Sequence, residues 1–441
     1  MCIVTVLADY GTFVSGGSIG HSLRERTIAV SAYFTFLVTD WSWVGVILAV
    51  TGVAAWYRNL RPWFITWMIA VFFLGPAFFF YASFPLANRF TLGTYERFLL
   101  PSYLFIAIAV GCGLSWLLDR VKTVLTHRLT GGKIKATVLL VFVTFMVYPV
   151  SMGGVTLWRF WGLPQDRTAE NLGRDILATA KPNSVLLLSQ DTTLFTTQYV
   201  RYGLRVRGDT AVIHASRLAT PDYQIVLKKH FPRLLFPDAP PARFSAEFIK
   251  VNSTASTRVY SNIILPIDKG WYWVPRGLLY EAVPYAELPG AEDMYASYLA
   301  TATAMHNPLS GILSRYPHLM LSDVLDVYAA GHIAMGKTLM RAEKWEEARR
   351  EFAAAVALSG DSSLTESLEL LALSHLYFKD CTNALDALAR AKQHAFVPSP
   401  LHLRMESAAY GECLGDEKRA RELFSEYEKL ERQSEESLEV L

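Results

Sequence analysis

Four long apolar stretches in the first 160 residues constrain this chain more than anything else in it: Trp41 to Tyr57, Trp63 to Phe84, Phe98 to Leu118 and Ala136 to Trp158. As helices rising about 1.5 Å per residue, they are long enough to approach or cross hydrocarbon about 30 Å thick. Lipid offers the backbone no hydrogen-bond partner, so segments of this kind must be helical to be membrane-embedded. The charge distribution agrees. Of 82 Asp, Glu, Lys and Arg residues in 441, only 17 fall in positions 1–160. Eight of the eleven tryptophans lie between Trp41 and Trp161, mostly near the ends of the apolar runs, where an amphipathic ring suits the headgroup level. The sequence therefore predicts a transmembrane region of about four helices over 41–158, followed by water-soluble parts.

The short loops set the orientation. Arg58 and Arg61 occupy one, and Arg120, Lys122, Arg128, Lys133 and Lys135 another, whereas the loop between the second and third stretches holds Arg89 and Arg97 offset by Glu96. Basic loops stay cytoplasmic. Residues 1–40, the loop from Pro85 to Arg97 and everything after Trp158 are then expected on the outer side: periplasm, cell exterior or organelle lumen. Within 1–40, the apolar run Thr27 to Val38 is short for a span and reads as an interfacial or re-entrant helix. Met1 to Ala8 has neither a basic start nor an apolar run of signal-peptide length, so the chain is expected to continue a longer protein.

Beyond Trp158 the pattern alternates as in α/β proteins. It predicts a helix near Ala169 to Ala180, a strand Ser184 to Ser189, a helix near Leu194 to Tyr202 and a strand Ala211 to His214, forming a βαβ unit in a small parallel sheet. Pro232 to Pro289 is rich in Pro and aromatics and reads as irregular, with strand-like runs at Thr257 to Leu265 and Gly277 to Val283. This extracytoplasmic α/β domain spans 159–290, and a helical linker 291–327 follows. From Tyr328 a 36-residue repeat begins: Trp345, Ala348, Phe352 and Ala355 recur as Cys381, Ala384, Leu388 and Ala391, then as Glu417, Ala420, Phe424 and Tyr427. A small residue at a helix crossover with a large apolar one four positions on is the tetratricopeptide pattern. Residues 328–441 are thus expected to form a short α-helical tetratricopeptide-like solenoid whose concave face binds protein or peptide, ending in a capping helix from Arg432.

Several chemical motifs fail their context. Gly331 to Thr338 (GHIAMGKT) matches the phosphate-loop pattern, but the repeat register puts Gly336 at a helix crossover, and no nucleotide site is assigned. Gly16 to Gly20 (GGSIG) matches the hydrolase serine elbow without the strand that should precede it. The ten histidines have no HExxH or HxH spacing, and the four cysteines no CxxC, so neither metal nor cofactor is expected. A net charge of +2 argues against a nucleic-acid partner. Asn252 begins a formal glycosylation sequon, and Asp191 reads as a helix cap. Glu96 and Arg97 stand where the third span enters the membrane from outside, a place suited to gripping a lipid phosphate. Asp9, Tyr10, Arg24, Glu25 and Arg26 offer polar groups that can face the same surface.

Three stretches together carry a family resemblance: DYGTF at Asp9 to Phe13, ERFLLPSYLF at Glu96 to Phe105, and the run from Asn171 to His214, with GWYWVPRGLLYEAV at Gly270 to Val283 in support. They resemble the membrane protein O-mannosyltransferase-like glycosyltransferases, multi-spanning enzymes of the GT-C type that often end in tetratricopeptide repeats. The resemblance implies transfer of a sugar, mannose in the expected case, from a polyprenyl-phosphate-linked donor to an acceptor such as a protein Ser or Thr hydroxyl on the outer side. It implies a carboxylate for the acceptor proton and a cationic cradle for the departing phosphate. In the family that carboxylate lies in the first outer loop, beside a His-Pro-Pro-Gly-like segment that this chain lacks. The chain resembles the portion of such a protein from mid-membrane to the end, and its catalytic residue is left unassigned. The alternative is a non-enzymatic membrane-anchored scaffold.

Overall fold

A computed structural model describes residues 23–82, 95–126, 160–254, 256–315, 319–394 and 400–439, with part of 136–158. The chain is mostly helical, with one five-stranded sheet. It divides into two compact units, Met1–Gly162 and Leu163–Leu441.

In the first unit, α1 (Leu23–Asn59) is kinked at Ser42, a non-glycine residue at φ 55°. The short run Thr27 to Val38 and the first expected span are therefore two arms of one bent rod, not an outer-loop helix and a separate span. The second span is broken by Gly75 into α2 (Arg61–Leu74) and α3 (Pro76–Ala82), with Pro62 and Pro76 in the first turns, where a missing N–H costs nothing. The third is α4 (Leu99–Thr126). Arg26–Arg58, Arg61–Ala82 and Tyr95–Thr123 are long and apolar enough to cross a membrane. The fourth expected span is only partly covered by the described residues; its described positions are helical. α1 and α4 touch through backbone. A Cβ on Gly113 would lie 1.9 Å from the Leu48 carbonyl oxygen, and one on Gly52 2.1 Å from that of Ala109. Small residues permit such approach where no hydrophobic force drives helices together. The Trp67 indole donates to the Phe105 carbonyl at 2.7 Å, tying α2 to α4.

The second unit starts with α5 (Thr168–Thr179) and β1 (Val185–Leu188). Next come α6 (Asp191–Gln198), which continues as a π-turn over Tyr199–Gly203, and β2 (Ala211–His214). Two helices, α7 (Pro221–His230) and α8 (Pro241–Asn252), precede β3 (Val259–Ser261), β4 (Trp271–Arg276) and β5 (Leu279–Pro284). The strand order is β2-β1-β3-β5-β4. β1 runs parallel to β2 and β3, but β5 pairs antiparallel with both β3 and β4, so the sheet is mixed rather than parallel. The difference comes from the β4–β5 hairpin, whose two-residue loop has Gly277 at φ 58°, a conformation costly for other residues. Pro275 is tolerated because β4 is an edge. β1 is apolar throughout because both its faces are covered. Leu186 and Leu188 pack with Leu172, Ile176 and Tyr260, whereas Val185 and Leu187 pack with Phe244, Phe248 and Ile249.

The remaining helices pack in sequence order: α9 (Ala291–Thr303), α10 (Leu319–Arg341), α11 (Trp345–Leu358), α12 (Leu364–Tyr377), α13 (Cys381–His394), α14 (Pro400–Ala408) and α15 (Glu417–Glu439). Helices start at the three equivalent repeat positions, Trp345, Cys381 and Glu417. The expected boundary at 328 does not separate two bodies. Val324 and Tyr328 of α10 join the core against the sheet, while Ile333, Met335 and Leu339 of the same helix join the core against Phe352. Cys381 and Cys413 form a disulfide, with Cα atoms 5.5 Å apart.

Candidate functional site

Three helix ends meet where the sequence places its lipid-facing charges. The Tyr95 hydroxyl, just before α4, donates to the Ala29 carbonyl of α1 at 2.7 Å. One turn earlier, Arg26 donates to the Phe80 carbonyl of α3 at 3.2 Å and lies 5.4 Å from the Phe80 ring. Between them sits a buried aromatic group: Tyr33 and Phe79 are 5.6 Å apart, and Phe79 and Tyr95 4.2 Å. Tyr95 is fully buried and its neighbours Glu96 and Arg97 are exposed, so this knot presents a carboxylate and a guanidinium beside the helix that carries Arg26. Of the sequence candidates, Arg26, Glu96 and Arg97 are thereby brought to one end of the unit. Asp9 and Tyr10 lie outside the described residues, as do the side chains of Arg24 and Glu25 and the motif Gly16 to Gly20. The groove found among the described residues of this unit is apolar, about 290 Å³, and lined by Tyr33, Leu37, Val46, Trp67 and Ile106; none of the charged candidates lines it.

Sequence reading missed a further carboxylate. Assigned to the outer loop, Asp40 instead lies inside a candidate span, two residues before the Ser42 kink, and accepts a hydrogen bond from Tyr103 of α4 at 2.8 Å. Ionisable groups within spans are costly and mark functional positions. The visible signal was Asp40 itself, the lone charge between Thr27 and Tyr57.

The motifs in the second unit resolve into structure. Gly331 to Thr338 lies inside α10. A Cβ on Gly336 would sit 2.4 Å from Phe352, Lys337 pairs with Glu366, and the Thr338 hydroxyl donates to the Ala334 carbonyl at 2.9 Å. No phosphate loop exists there. Asn252 is buried, accepting from the Leu235 N–H at 2.9 Å and donating to the Leu235 carbonyl at 2.8 Å, which removes the sequon from the surface. Asp191 opens α6 as its first residue, not its cap; Gln190 occupies the cap position without a side-chain hydrogen bond.

Buried polar groups here act as locks. Asp175 accepts from the His306 amide at 2.9 Å, pairs with His306 Nδ1 at 2.7 Å and accepts from the Tyr328 hydroxyl, joining α5, the segment after α9, and α10. Burial, and then this hydrogen bond, push the Tyr328 hydroxyl well above the usual tyrosine range. Glu281, 2 % exposed, is held by Arg276 at 3.0 Å, Lys181 at 3.2 Å and Arg258 at 3.8 Å. The Arg207 guanidinium holds the Asp209 carboxyl well below the ordinary carboxylate range. Among the described residues, no group of three or more His, Cys, Asp or Glu side chains is placed to hold a metal. Compared with models of known families, with characterised proteins and with solved structures, the chain matches none.

Proposed function

We propose that this chain belongs to a multi-pass GT-C glycosyltransferase that moves a sugar, mannose, from a polyprenyl-phosphate donor to a protein Ser or Thr hydroxyl on the outer side of the membrane. The observation that carries the reading is the junction of α1, α3 and α4, where Tyr95 bonds to Ala29 and Arg26 to Phe80 at the end that carries Glu96 and Arg97. In the reaction, the acceptor oxygen bonds to the anomeric carbon, the bond from that carbon to the phosphate oxygen breaks, and the acceptor proton passes to a carboxylate. The phosphate leaves with the electron pair of that bond, passing from a singly charged diester to a doubly charged monoester, and Arg97, with Arg26 at the same end of the unit, stabilises the added charge. The outer-side assignment draws support from the Cys381–Cys413 bridge, since disulfides persist in oxidising compartments. The helices α10 to α15 are read as three tetratricopeptide-like repeats that recruit the acceptor protein.

The test uses the full-length protein in membranes, a mannosyl phosphopolyprenol and a Ser/Thr peptide. Arg97→Ala is expected to lower transfer by about tenfold or more, the scale of a lost charge-stabilising contact. Wild-type rates in the variant remove the assigned role.

One observation favours a second reading, a membrane-anchored scaffold. Trp345 stacks on Tyr377 with centroids 4.1 Å apart, Tyr377 is 55 % and Phe378 42 % exposed, and Arg349 lies 5.0 Å from the Phe378 ring. An exposed aromatic and arginine patch has the composition of a binding hot spot. On this reading Tyr377→Ala with Phe378→Ala abolishes partner capture and leaves sugar transfer to free peptide untouched; capture at the wild-type level rejects it.

A further inference from the structure

α7 and α8 lie between β2 and β3, and the chain joining them, with the segments that lead into β1 and β2, lines a cavity of about 600 Å³. That is the size of an ordinary small-molecule site. Its position is unusual. Open α/β sheets bind ligands beyond the carboxyl ends of their strands, at the point where the strand order reverses. Here that point lies between β1 and β3, and Asn262 bridges it, accepting from the Ser189 N–H at 2.7 Å and donating to the Ser189 carbonyl at 2.9 Å. The cavity lies instead at the amino ends, where Ser184 and Thr210 precede β1 and β2. The two bonds between Asn252 and the Leu235 backbone fix one wall, on which Phe231 and Leu235, the latter 60 % exposed, supply apolar surface. Thr210, 1 % exposed, also lines the cavity, and its hydroxyl has no hydrogen-bond partner among the described residues. Such a group is rare in a folded protein and calls for a partner from outside the chain.

Charge sorts the remaining groups. Among the described residues, Asp209 is the one acidic side chain lining the cavity, and it is already occupied. Arg207 donates to both its oxygens at 3.0 Å, and the Asn183 N–H donates to it at 2.8 Å. Arg201 is bonded to the Thr210 and Gly208 carbonyls, neutral groups that leave its charge uncompensated. His230 and Arg233 line the cavity, are exposed, and make no ion pair among the described residues. With Asp209 and Arg207 cancelling, the cavity keeps an excess of positive charge from Arg201 and Arg233. A His ring offers an N–H donor in either protonation state, and an Arg offers several.

We propose that this cavity binds a small organic anion, with its charged group on His230 and Arg233 and its apolar body against Phe231 and Leu235. The proposal rests on the second unit alone and stands apart from the sugar-transfer reading. The experiment titrates the full chain in detergent micelles, by calorimetry, with three probes: benzoate, which has both parts; benzyl alcohol, which lacks the charge; and acetate, which lacks the ring. Arg233→Gln in the same micelles separates binding by the protein from partition into detergent. Benzoate is expected to bind the wild type at least about tenfold more tightly than either of the other probes, and Arg233→Gln to lose about tenfold in affinity for it, the scale of a hydrogen bond to a charged group. Equal affinities for benzoate and benzyl alcohol overturn the proposal, because charge then plays no part. Equal affinities for benzoate and acetate overturn it as well, because no apolar body is held. So does a wild type that does not bind benzoate, or a variant that binds it as the wild type does.

Discussion

α2 and β1 are made of nearly the same kind of residue and are buried in opposite senses. Every residue of Val185–Leu188 is buried, while α2, ITWMIAVFFL after its first turn, buries none, with Ile65, Ile69, Phe72 and Phe73 each more than half exposed. Apolarity drives burial only where water is the alternative. In the first unit, order comes instead from close backbone approach at Gly52 and Gly113, from aromatic contacts and from a few bonds such as Tyr95 to Ala29. The second unit is held by a two-sided apolar core pinned by Asp175 and Glu281.

The sharpest way to break this contrast is Gly113→Leu, which puts a side chain where the Leu48 carbonyl stands and forces α1 and α4 apart. The first unit is expected to lose its cooperative transition, followed by tryptophan fluorescence of the full chain in micelles; a melting temperature within about 2 °C of wild type shows that the crossing is dispensable. A matched pair comes next. Leu187→Ala opens a cavity in the sheet core and should cost about 3 kcal/mol, whereas Ile65→Ala trims an exposed side chain of a candidate span and should cost under about 1 kcal/mol, both read by denaturant titration. Equal costs collapse the distinction. The smallest effect is alkaline. Burial, and then the charge of Glu281, push the Tyr260 hydroxyl up to about 12 from 10.0. A raised folded-state value means that its contribution is fully present below pH 10 and is lost as pH rises towards 12. Tyr260→Phe should flatten that decline, and an unchanged pH profile assigns the titration elsewhere.

Local features of the fold were legible and pairings were not. VLLL announced a strand, and the 36-residue spacing singled out three equivalent positions, Trp345, Cys381 and Glu417, at each of which a helix starts. α8 was hidden by its Pro-rich surroundings, although Pro241 at its first turn and Phe244 and Phe248 four apart were signals that could have revealed it. β4 was lost because WYWVPR contains a proline, and only the sheet order shows it to be an edge where proline is admissible. The Asp175–Tyr328 contact spans 153 positions and the Cys381–Cys413 bridge 32, separations that no local pattern encodes. For the candidate site, Glu96, Arg97 and Arg26 could be read from loop charge, whereas Asp40 was misplaced because the helix around it was split into two segments.

α10 belongs to two cores at once, with Tyr328 against the sheet and Met335, about two turns further on, against Phe352. A helix shared in this way acts as a beam and leaves no hinge. A load applied to the repeats is passed to the sheet as torque, and whatever the array grips is held at a fixed bearing to the sheet instead of swinging on a tether.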